Sequence, residues 1–290
     1  MDQKLLNGLI DSIFPEGETA IYYKGLIYGP DGVGKTVSAC SIGEKVLYLA
    51  VDPAGYTSLY NHPELGWRTR IIPMKYKGLS QLEALADAFT EGIPQFAEFD
   101  TIVVDTASNT QVLDTDLVTK ARIQKQKNTP KEFDFQDGMY GVYNQSTLQL
   151  RTAYLKLLLA PVNVVLVAHD RRWEDKEGTG LKYIQPKFTP EFYKSISSYC
   201  RQVIYMTATP QVNKSDNSVQ YTRTMQFHPS GNIVAKSNIG GLPLKQNNPN
   251  LRQIVENWQK LGGQLIPEAM ATEPIVESAE ELTDFDLEMK

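Results

Sequence analysis

The stretch Gly29-Pro30-Asp31-Gly32-Val33-Gly34-Lys35-Thr36-Val37 sets three glycines, a lysine and a hydroxyl side by side. Glycine, four intervening residues, then Gly-Lys-Thr is the spacing of a loop that wraps phosphate oxygens. The glycines let the backbone curl so that its N–H groups point inward. A helix beginning at Lys35 would add the positive end of its dipole. Lys35 is expected to reach the outer phosphates of a nucleoside triphosphate. Thr36 is expected to hold Mg²⁺ through its hydroxyl.

A carboxylate must complete such a metal site. Ile102-Val103-Val104-Asp105 reads as a buried strand with an acid at its tip, so Asp105 is the expected metal partner. Asp52 ends another apolar segment; it either orients or deprotonates an attacking water, or closes the turn before Pro53. His169 ends the segment Asn163–Ala168. It either touches the terminal phosphate and reports its loss, or is a hydrogen-bonded strand-end imidazole. His62 and His228 form no close-spaced metal motif with it.

Asn213-Lys214-Ser215-Asp216 matches a guanine-reading spacing. Two features argue against that role. Asp105 is followed by Thr106, Ala107 and Ser108, with no glycine three residues on. The tetrapeptide also lies between two alternating segments, where a hairpin turn belongs. Adenine is therefore the expected base, and ATP hydrolysis the expected reaction.

A third constellation follows Asp105. Lys120, Arg122, Lys125, Lys127 and Lys131 precede Phe133, Phe135, Tyr140 and Tyr143. Cations that track phosphates, with aromatics for base stacking, suit a single nucleic-acid strand. The same pattern also describes a solvated helix face followed by core aromatics.

These residues need elements to position them. Apolar segments ending at Gly29, Asp52, Asp105 and His169 alternate with helical patterns at about 35–44, 80–92, 107–128 and 139–160. That alternation predicts an α/β fold with a mostly parallel sheet, whose ligand binds at the carboxyl ends of the strands. From residue 201 the pattern changes to short alternating segments (201–210, 218–227 and 232–238), an antiparallel extension. A last helix is expected to start at Asn248-Pro249 and stop at Gly262-Gly263. The predicted organisation is an amphipathic helix over 1–19, a core over 20–263 and an acidic flexible tail over 264–290.

Composition sets the outer bounds. With 41% hydrophobic residues among 290, the chain can bury a core. Cys40 and Cys200 form neither a disulfide framework nor a zinc pair, and a reducing, cytoplasmic setting is expected. No apolar run reaches membrane-spanning length, and the N-terminal residues lack the pattern of a signal peptide. Net charge is −5, of which residues 264–290 carry −7, leaving +2 on residues 1–263. The acidic balance belongs to the tail and says nothing against a nucleic-acid partner for the rest.

The ordered set Tyr28–Thr36, Val51–Leu59, Ile102–Thr106, Val164–Asp170, Pro186–Met206 and Ile233–Pro243 resembles the RecA-like core ATPases. More narrowly, it is similar to small bacteriophage ATP-binding proteins, some of them single-strand annealing recombinases. The resemblance covers residues 20–245. It implies a RecA-like P-loop core, ATP and Mg²⁺ as cofactors, single-stranded DNA as partner, and a homo-oligomer with ATP at subunit interfaces. For a phage-encoded chain it implies the cytoplasm of a bacterial host. It also implies that Lys236 reaches a neighbouring subunit's ATP site, although Asn238 stands where the family has arginine. An asparagine brings no charge to a developing phosphate, so either slow hydrolysis or action mainly through ATP binding is expected. A nucleotide-gated adaptor that docks on a single-strand binding or replication protein, through the acidic tail, is the alternative.

Overall fold

The computed structural model describes residues 21–52, 55–127, 135–174, 182–212 and 219–263. The expected N-terminal helix and acidic tail lie outside these residues. In chain order the elements are β1 (Lys24–Gly29), α1 (Lys35–Ser41), β2 (Val46–Ala50), α2 (Gly55–Tyr60), β3 (Ile71–Lys75), α3 (Leu79–Thr90), β4 (Thr101–Asp105), α4 (Ala107–Lys127), α5 (Phe135–Leu159), β5 (Asn163–Glu174), β6 (Lys182–Pro186), α6 (Pro190–Ser197), β7 (Gln202–Val212), β8 (Val219–Gln226), β9 (Lys236–Ser237), β10 (Lys245–Asn247) and α7 (Leu251–Lys260).

The strands form a mixed sheet in the order β10-β8-β7-β1-β5-β4-β2-β3, with β6 on β5 and β9 on β7. From β3 to β7 every neighbour is parallel. The strands β6, β8, β9 and β10 pair antiparallel. This is the α/β arrangement of a P-loop nucleotide-binding core with an antiparallel extension.

Near-continuous apolar strands are what a sheet covered on both faces requires. Side chains alternate between two cores, as the two-residue period demands. Ile27, Val103, Val165 and Ile204 pack with Ala39 of α1, Leu59 of α2 and Trp258 of α7. Leu26, Ile102, Val104 and Leu166 pack with Leu82 of α3, Leu157 of α5 and Phe192 of α6. Among the described residues no helix is long and apolar enough to cross a membrane.

Several boundaries differ from expectation for local reasons. The helix after the glycine loop ends at Ser41, short of Glu44, because Gly43 turns against Asp100. The Asp100 carboxylate then accepts the N–H of Glu44 at 2.6 Å. β2 stops at Ala50 because the N–H groups of Val51 and Asp52 turn to the Asp105 carbonyl, at 2.7 and 3.4 Å. The last helix is capped by Asn250, whose side chain accepts the Gln253 N–H at 3.1 Å, and not by Asn248-Pro249. The segment 232–238 contributes only the two residues of β9 as a strand. β3 was not expected: Pro73 disguises it, and proline is tolerated because β3 is the sheet's edge.

Candidate functional site

β5 lies between β1 and β4, and this fixes the site. Gly29 pairs with His169, and Asp105 pairs with Val167, so the tips of three adjacent parallel strands meet at one end of the sheet. The chain leaves β1 there, turns through residues 30–34 and enters α1. Gly32 and Gly34 adopt φ of 75° and 95°, the left-handed region that favours glycine. Gly29 has no room for a side chain, because a Cβ would collide with the Met206 carbonyl of β7.

Lys35 is buried and donates to the carbonyls of Gly29 at 2.8 Å and Pro30 at 2.6 Å. Burial pulls its pKa down, while Asp31, Asp105 and Asp170 pull it back up. The Thr36 hydroxyl donates to Asp105 Oδ2 at 2.5 Å, and the Tyr48 hydroxyl donates to the same oxygen at 3.0 Å. Burial drives the Asp105 pKa above the usual carboxylate range; Thr36, Tyr48, Lys35 and His169 oppose it. The Tyr48 phenol is pushed up by burial first and by Asp105 second.

His169 Nδ1 lies 2.7 Å from Asp31 Oδ1, and the His169 N–H donates to Ser108 Oγ at 3.2 Å. Asp31 is 84% exposed, so this contact forms at the mouth of the site. Asp52 lines the same cleft. The cleft measures about 500 Å³ and is walled by Lys35, Thr36, Asp52, Asp105, His169 and Arg223. Such a volume suits a small-molecule cofactor.

The donor set fits Mg²⁺ with a nucleotide. A hydroxyl and a carboxylate in contact offer two hard oxygens, and Mg²⁺ takes few protein ligands because substrate phosphates and waters fill the rest. Among the described residues no three His, Cys, Asp or Glu side chains cluster as an all-protein metal cage would need. The buried Thr106 Oγ1, also on the cleft wall, has no hydrogen-bond partner and can serve a ligand oxygen or a water.

The fold thus brings together Gly29, Asp31, Gly32, Gly34, Lys35, Thr36, Asp52, Asp105 and His169. Val37 also lines the cleft, while packing against the core, whereas Val33 belongs to the core itself. Lys236 is not in the cleft. It pairs with Val203 near the start of β7, at the opposite end of the parallel strands. Its ammonium donates at 2.9 Å to the carbonyls of Ser197, the last residue of α6, and Cys200, just beyond it. The Asn238 N–H donates to Arg201 O at 2.8 Å.

Lys120 is exposed on α4, the helix that begins directly after Asp105. Arg122, Lys125 and Lys127 are positions on that helix whose side chains lie outside the description, and Lys131 lies outside the described residues. Residues 213–218, with Asn213–Asp216, are also outside. The strands flanking them pair antiparallel, Val212 with Val219, which is the hairpin expected in place of a guanine reader.

Sequence reasoning missed Tyr48 and Arg223. Tyr48 had a signal: a tyrosine inside a buried strand must find a partner for its hydroxyl. Arg223, in an alternating segment, had none.

A family model described as AAA domain matches residues 21–239, more than half of the chain. A comparison with curated proteins finds no match.

Proposed function

Because the chain belongs to the AAA domain family, a P-loop AAA-type ATPase family, we propose that its cleft binds and hydrolyses ATP and that the cycle acts on single-stranded DNA. The observation that carries the nucleotide part is the contact of Thr36 Oγ1 with Asp105 Oδ2 beside the buried Lys35. Thr36 and Asp105 would hold Mg²⁺, which supplies charge neutralisation for the phosphates when bound. Lys35 exchanges the carbonyls of Gly29 and Pro30 for phosphate oxygens. Asp52 is the cleft carboxylate that orients the attacking water. His169 loses Asp31 as a partner and takes a phosphate oxygen.

Two observations support the DNA part. β5 runs on past His169 into Arg171, Arg172 and Trp173, with the Arg171 guanidinium 4.0 Å from the Trp173 ring and both arginines exposed. α4, with Lys120, starts at the metal-binding strand. Cations and aromatics that continue from two nucleotide-contacting strands suit a strand of DNA read through its backbone and base faces. Assembly as a homo-oligomer with ATP between subunits, and a part in recombination or annealing, complete the reading.

Thermal unfolding of the full chain with and without Mg·ATP tests the first part. At about a hundredfold excess over Kd, ligand binding adds about 2.7 kcal/mol of stability. Lys35→Ala should abolish that gain. Equal gains in wild type and Lys35→Ala would refute the site. Fluorescence anisotropy with a labelled oligonucleotide, with and without ATP, tests the second part, and its salt slope counts phosphate contacts. No binding at low salt would leave the nucleotide-gated adaptor as the better reading.

A further inference from the structure

We infer that Arg223 is a phosphate ligand of the nucleotide cleft, supplied in cis by the β7–β8 hairpin; this rests on the nucleotide reading above. Arg223 sits on β8 opposite Ala208 of β7, two residues before Met225, which pairs with Met206. Met206 in turn crowds Gly29. The antiparallel hairpin therefore carries Arg223 to the same end of the sheet as the glycine loop. Its side chain lies across that loop: a Cβ built on Gly34 would fall 2.7 Å from Arg223 Nε and 3.2 Å from its Cδ. The residue joins Lys35, Thr36, Asp105 and His169 in walling the cleft.

The charge balance points the same way. Asp31 and Asp105 share the cleft but are engaged by Lys35, His169, Thr36 and Tyr48, and the ion pairs among the described residues do not include Arg223. A half-buried guanidinium with no counter-ion among the described residues, lying across a phosphate-wrapping loop, is matched by the oxygens of a nucleotide phosphate. Arginine presents several donors in a fixed fork, which suits that geometry.

The backbone is built to hold it. The Arg223 N–H donates to Asn248 Oδ1 at 2.8 Å, and the Asn248 N–H donates to Arg223 O at 2.6 Å. Asn248 does this at φ of 43°, a conformation asparagine tolerates better than most residues. The neighbouring Thr224 hydroxyl donates to Asn247 Oδ1 at 2.8 Å. Asn247 and Asn248 thus strap β8 at the residue whose side chain enters the site.

Titration of the full chain with Mg·ATP and Mg·ADP tests this, using Arg223→Met and Arg223→Lys. Methionine keeps aliphatic packing over Gly34 but removes the charge. Arg223→Met should leave the melting temperature without nucleotide within about 2 °C of wild type. It should weaken ATP binding at least about tenfold, the scale of one charge-assisted hydrogen bond. Arg223→Lys should recover part of the loss. Wild-type affinity in Arg223→Met overturns the inference while leaving the nucleotide site intact. If wild type itself binds neither nucleotide, the underlying reading fails instead. Should Arg223→Met also melt early, partial recovery of affinity in Arg223→Lys upholds the phosphate contact, and equal affinities in the two variants refute it.

Discussion

Asp105 shows how one buried carboxylate ties the proposed metal site to pH. Its neighbours stabilise the ionised form, but burial outweighs them and raises its pKa. The folded chain therefore keeps a proton that the unfolded chain releases at an ordinary carboxylate pKa. As pH rises through that window the unfolded state holds fewer protons than the folded one, so the nucleotide-free protein loses stability. A bound cation favours the ionised form and reverses the penalty. The thermal gain from Mg·ATP should accordingly grow as pH rises above the ordinary carboxylate pKa in wild type, beyond any growth in Asp105→Asn. Parallel growth in the two proteins would sink this account. Most of these residues were readable in the sequence, because the glycine spacing and an acid at the end of an apolar run are local signals. Tyr48 and Arg223 reach the site only through strand register, and no local pattern carries that.

The elements were legible where their periods were long. The parallel strands β1, β2, β4 and β5 and the helices α3, α5 and α7 follow from apolar spacing, whereas β3 is masked by Pro73, and β6, β9 and β10 are short and take their strand geometry from a neighbour. α7 shows where local chemistry decides a boundary. Leu251, Ile254, Val255 and Trp258 are buried on one face, and the helix packs against α1, which bears Lys35 and Thr36. Arg252 adds an ion pair to Glu44, just beyond α1. Asn250→Ala should cost about 1 kcal/mol through the lost cap. Trp258→Ala should cost about 3–5 kcal/mol. Urea denaturation measures both, and a null effect for Asn250→Ala would place the helix start elsewhere.

Across the whole molecule the two ends of the sheet serve different ends. The nucleotide cleft occupies one, and Lys236 tethers β9 to the α6 terminus at the other. Lys236→Ala should lower the melting temperature while leaving ATP affinity unchanged in dilute, unassembled protein. A loss of turnover that appears only at assembling concentrations would assign the residue to a neighbour's site; a loss at all concentrations would contradict the separation. β5 joins the cleft to the surface without a break, and its pairing changes at a single place. His169 is the last residue to pair with β1, and Asp170 is the first to pair with β6. Sliding this strand would break two parallel ladders and one antiparallel ladder together. Bending at the seam between His169 and Asp170 breaks none of them. Mechanically, then, β5 is a lever whose fulcrum, His169, sits at the cleft and whose outer arm is the β5–β6 pair.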